Sequence, residues 1–73
     1  MPALDSEAEF WYIAGLAQKA GVLSHTEVNV IRQPGRKANY WGRHLRNLKE
    51  YTKEKVMKLS NRTPEMDELL KLC

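Results

Sequence analysis

Thr26, Asn29, Arg32 and Gln33 stand close together near the middle of the chain, and each carries a side chain able to hydrogen-bond the edge of a nucleic-acid base. Asparagine and glutamine suit adenine, arginine suits guanine through two parallel hydrogen bonds, and threonine serves either. Just downstream, Arg36, Lys37, Arg43, Arg46, Lys49 and Lys53 supply positive charge for phosphates. Tyr40, among them, can bond a phosphate oxygen or stack on a base. The same residues also fit an ordinary solvated helix, on which Arg46 with Glu50 and Glu54 with Lys58 would pair at four-residue spacing and contribute a few tenths of a kcal/mol. The distribution of charge weighs against the ordinary reading. Ten of the twelve Lys and Arg residues lie in 32–62 against only Glu50 and Glu54, so that stretch carries +8 while 1–31 carries −3 and the tail from Thr63 carries −2. A merely solvated surface intersperses more acids, and a concentrated positive field attracts polyanions.

Other chemistry finds little support. His25 and His44 are isolated from each other and from Cys73, no His-Glu pair has metal-ligand spacing, and no glycine-rich loop precedes a strand. Glu7 with Glu9, and Glu50 with Glu54, read as capping and solvated helix charges rather than an acid-base pair. The expectation is a non-enzymatic protein with no cofactor and no metal site. A single cysteine, Cys73, allows no internal disulfide and fits a reducing compartment; at the end of the sequence it is expected to be frayed. No apolar run approaches the ~20 residues of a membrane span, and acids stand near the start where a signal peptide has bases. The reading is a soluble, cytoplasmic protein, or a nuclear one if the cell is eukaryotic, with no membrane partner.

These groups need elements to position them, and the capping signals outline a small all-α bundle of about four helices, 7–20, 25–33, 39–59 and 64–72. All of them belong to one domain over 1–73, with 1–5 disordered. Ser6 with Glu9 and Ser24 with Glu27 both have capping-box spacing, and Leu23 and Val28 occupy the two positions of a hydrophobic staple around the second box. Phe10, Ile13, Ala14 and Ala17 repeat at helical spacing, widened by Trp11 and Leu16, and Gly21 stands where a left-handed C-cap belongs. Pro34-Gly35 stops the second helix. In the third, Trp41, Leu45, Leu48, Thr52, Val56 and Leu59 fall on one seam, with Arg43, Arg46, Lys49 and Lys53 opposite. Thr63 as N-cap and Pro64 at the first helical position start the fourth, which carries Met66, Leu69, Leu70 and Leu72. Val28 and Val30 alternate with polar neighbours, so a hairpin over 26–42 competes with the second helix.

The stretch LAQKAGVLSHTEVNVIRQPGR, 16–36, resembles the helix-turn-helix of bacterial repressors and regulators. Ala17, Gly21 and Val22 match that family's first-helix alanine, turn glycine and following apolar residue, while the apolar pair Val28 and Ile31 comes one place late, as if Leu23 were inserted. The resemblance implies a transcriptional or mobile-element regulator, working as a homodimer. Its second helix would enter the major groove with Thr26, Asn29 and Arg32 toward the bases and Gln33 at the rim. A different reading is a helical adaptor or inhibitor that docks on an acidic protein surface through helix 39–59. Four bulky residues in a row, Phe10 to Ile13, cannot all face inward on one helix. Phe10 and Trp41 are therefore assigned to the core, and Trp11 or Tyr12 is left to cover a partner.

Overall fold

A computed structural model describes residues 5–32 and 40–73. They form four helices, α1 (Ser6–Lys19), α2 (His25–Arg32), α3 (Trp41–Met57) and α4 (Pro64–Leu72), and no strand occurs among the described residues. The competing hairpin is thereby excluded over 26–32; its remaining residues up to Asn39 lie outside the described residues, as do Met1 to Leu4.

The first cap differs from the expected one. Asp5, expected to be disordered, is the N-cap of α1, and its Oδ1 accepts from the Ala8 amide at 2.7 Å while Ser6 becomes the first helical residue. A carboxylate is the stronger acceptor at the positive end of a helix, and Glu9 is drawn instead to Lys49 on α3, 2.8 Å away. The end of α1 follows the glycine. Gly21 has φ 77, the Val22 amide donates to the Ala17 carbonyl at 2.9 Å and the Gly21 amide donates to the Gln18 carbonyl at 3.0 Å. These two bonds are the paired closure of a Schellman motif. The second box forms as its spacing predicts, with the Ser24 amide donating to Glu27 Oε1 at 3.0 Å and the Glu27 amide donating to Ser24 Oγ at 3.1 Å. Leu23 and Val28 are both buried beneath it.

The core is built from Phe10, Ile13, Ala14 and Ala17 of α1, Val22 and Leu23 of the turn, Val28 of α2, Leu48 and Val56 of α3, and Leu69 of α4. The expected inward stripe of α1 is thus the observed one. The seam of α3 is corrected at both ends. His44 is buried on it, between Trp41 and Leu48, whereas Leu59 lies beyond the helix and is exposed. Ser60 and Asn61, which favour turns over helix interiors, follow the Lys58 cap and end α3 two residues early. Thr63 caps α4 by accepting from the Met66 amide at 3.3 Å, with Pro64 in the first turn. Cys73, expected to fray, donates its amide to Leu69 at 3.2 Å and packs half-buried against the core.

The molecule measures 37 × 30 × 16 Å. Although α3 packs against each of the other three helices, its residues Arg43, Arg46 and Lys53 stay exposed. No described helix is long and apolar enough to cross a membrane.

Candidate nucleic-acid interface

On α2 the structure brings Thr26, Asn29 and Arg32 to the exposed face, with exposed Val30 beside them, while Val28 points into the core. Gln33, Arg36 and Lys37 lie outside the described residues. The helix is fastened through one carboxylate. Glu27, besides closing its own capping box, accepts at Oε2 from the Tyr51 hydroxyl and from Lys55 Nζ, each at 2.6 Å. Hydrogen bonds from Lys55, Tyr51 and the Ser24 amide hold its pKa down at about 2, and the same contact pushes the Tyr51 hydroxyl up. The N-terminal half of α2 is therefore tied to the C-terminal half of α3.

The expected phosphate-binding residues of α3 separate into two kinds. Arg43, Arg46 and Lys53 are exposed, and among the described residues none has a carboxylate within 4.0 Å. Lys49 is only partly exposed and is held by Glu9, so its charge is already met by an acid. The pairs expected along the helix, Arg46 with Glu50 and Glu54 with Lys58, are not formed; the lysines that do pair on α3, Lys49 and Lys55, reach acids on α1 and α2. A carboxylate already ordered by a cap or a packed helix asks less side-chain entropy of its partner than two free side chains ask of each other.

These cations do not share the face of α2. At about 100° per residue, Arg46 and Lys53 lie roughly half a turn round the α3 axis from Tyr51 and Lys55, the residues that hold α2. Arg46 borders a shallow cleft with Gly42, Leu45, Lys49, Glu50 and Cys73, on the side where the chain leaves α4. Burial raises the Cys73 thiol pKa, opposed by the positive charges of Lys49 and Lys53. The sequence-predicted residues thus fall on two surfaces, Thr26, Asn29 and Arg32 on one and Arg46 and Lys53 on another, with Arg43 between them on the outer face.

Arg43 and Arg32 also mark a third feature, at the end of the molecule where α2 stops and α3 starts. The Arg32 guanidinium lies 5.3 Å from the Trp11 ring centre and 5.8 Å from that of Trp41, and the Arg43 guanidinium lies 5.6 Å from that of Tyr40. Trp11 and Tyr12, the two residues assigned to a partner, are 40% and 53% exposed, while Phe10 is buried and Trp41 partly so. The two exposed residues also separate. Trp11 joins the arginine corner, whereas Tyr12 lines a groove of about 530 Å³ with Leu16, Ala20 and Leu72, rimmed by Lys19, Lys71, Glu65 and Glu68.

Sequence reasoning missed three things here. His44 stands three residues after Trp41 and four before Leu48, so its seam position was readable from spacing, but its polar type hid it. The Glu27 contacts with Tyr51 and Lys55 span 24 and 28 residues and left no local signal. The meeting of Arg32 with two indoles likewise depends on how three helices cross. Compared with known proteins, the chain matches no family model, no curated protein and no solved structure.

Proposed function

We propose that this chain is a small nucleic-acid-binding protein, with DNA as the first candidate ligand, acting without catalysis as a regulator. The observation that carries the reading is that exposed cations, among them Arg32, Arg43, Arg46 and Lys53, have no carboxylate within 4.0 Å among the described residues, although acids of α1 and α2 are used to pair Lys49 and Lys55. An unmet cation on a surface gains most from a polyanion, because each phosphate it neutralises releases condensed counterions. Thr26, Asn29 and Arg32, all exposed on α2, are the residues for base contacts, and Arg43, an exposed cation with no carboxylate within 4.0 Å among the described residues, is available for a phosphate.

Binding of labelled duplex DNA followed by unbiased site selection tests the reading. Substituting Asn29 should relax sequence preference, by ~1–3 kcal/mol for a lost bidentate contact, whereas substituting Arg43 should weaken all sequences alike. No measurable binding of either duplex or single-stranded nucleic acid at low salt refutes the reading.

One observation favours a second reading, an adaptor that docks on a protein. Tyr12 and the apolar groove between α1 and α4 are exposed and offer an anchor of the kind enriched in protein interfaces. Under that reading Tyr12→Ala abolishes capture of a protein partner without unfolding the chain, and duplex DNA binds feebly with no preferred site.

A further inference from the structure

Five ring-bearing side chains gather at the end of the molecule where α1, α2 and α3 meet. Phe10 and Trp41 lie 5.4 Å apart between ring centres, Trp41 and His44 5.6 Å, Phe10 and Trp11 5.1 Å, and Trp11 and Trp41 6.0 Å, while Tyr40 is 6.5 Å from His44. The cluster is graded. Phe10 and His44 are buried at its base, whereas Trp11 at 40% and Tyr40 at 36% reach water at its top. Each exposed ring has an arginine over it, Arg32 on Trp11 and Arg43 on Tyr40.

We infer that Trp11 and Arg32 form a stacking platform for an unpaired nucleotide base, with Arg43 beside it for the adjoining phosphate, so that the ligand class is single-stranded nucleic acid. This rests on the proposed nucleic-acid function and specifies its ligand. Rings needed only for packing would be buried as Phe10 is. Trp11 instead leaves a large part of its indole in water, with Phe10 nearly perpendicular to it and Trp41 tilted against it. A base inside a duplex already stacks on its neighbours and offers no free face, whereas an unpaired base stacks on an aromatic ring or an arginine plane whatever its identity. The charge favours a nucleic acid over a protein: the two guanidiniums at this corner have no carboxylate within 4.0 Å among the described residues.

The test measures binding of the full chain to four labelled dodecamers: single-stranded DNA, single-stranded RNA, the DNA duplex, and a DNA backbone of the same length lacking bases. The expected result is that at least one single strand binds about tenfold more tightly than the baseless backbone and more tightly than the duplex, and that it quenches tryptophan fluorescence while the baseless strand does not. Trp11→Ala should erase that tenfold preference, and Trp11→Phe, which keeps a ring, should retain most of it; circular dichroism confirms that each variant is folded. The quenching comparison uses the unmodified protein and stands even if Trp11→Ala unfolds. Equal binding of the single strand and the baseless backbone, or tighter binding of the duplex, overturns the platform and leaves charge-driven binding intact. Failure of all four to bind at low salt overturns the platform together with the nucleic-acid function.

Discussion

Thr52 is fully buried on the α3 seam, and its Oγ1 has no hydrogen-bond partner among the described residues. Replacing it by valine keeps the branched shape, puts a methyl where the hydroxyl was, and removes a polar atom that lost its water on folding. A buried hydroxyl left unpaired costs ~1–3 kcal/mol, and the helix propensities of threonine and valine are close, so the loss of the unpaired hydroxyl should dominate. Thr52→Val should therefore stabilise the chain by about 1 kcal/mol, which for a domain of this size raises Tm by ~4–8 °C. Thr52→Ser is the matched control. It keeps the hydroxyl and deletes the methyl, opening a small cavity, and should lower stability by ~1 kcal/mol. Thermal and urea unfolding followed by circular dichroism, with the urea slopes unchanged, measure both. If Thr52→Val lowers the midpoint, the hydroxyl has a partner in solution and the argument from an unpaired group is wrong.

Two further outcomes follow from the turn and from the α2 fastening. Gly21→Ala should destabilise the fold by about 1–2 kcal/mol, because φ 77 is strained for an L side chain although nothing lies within 4 Å of the added carbon; Gly21→Asn should cost less, and a neutral Gly21→Ala melt would contradict the assigned turn. For Glu27, the folded pKa of about 2 lies below its ordinary value of 4.5, so the stability it contributes is complete above that ordinary value and is lost as pH falls through about 2. The stability gap between the unmodified chain and Glu27→Gln, read from urea melts across that range, should shrink as acid is added; a gap independent of pH would mean that the carboxylate is not held by Lys55 and Tyr51.

Local grammar carried much of the fold. The Ser24 and Glu27 box, the Gly21 turn, the Thr63-Pro64 start and the inward stripe of α1 are short-range matters, decided by groups within one helical turn of each other, and each was legible in the chain. Where a local choice was close, longer-range contacts decided it. Ser6 with Glu9 and Asp5 with Ala8 compete for one helix end, and Lys49 on another helix tips the balance by engaging Glu9. The site was legible only as a composition. Clustering of bases in 32–62 was plain, but helix crossing sends Arg46 and Lys53 to one side and Thr26, Asn29 and Arg32 to another, and it brings Arg32 onto Trp11 and Trp41. A list of charges has no faces until the helices are packed.

The central claim is that exposed, unmet cations on α2 and α3 bind a nucleic-acid backbone, and the salt dependence of DNA affinity tests it most directly. For each phosphate neutralised, the logarithm of affinity should fall with the logarithm of salt by ~0.7–0.9, and the combined variant Arg43→Gln, Arg46→Gln and Lys53→Gln should bind more weakly with a distinctly shallower slope while keeping its helical signal. Affinity that ignores salt, or a folded triple variant that binds as well as the unmodified chain with the same slope, would contradict it.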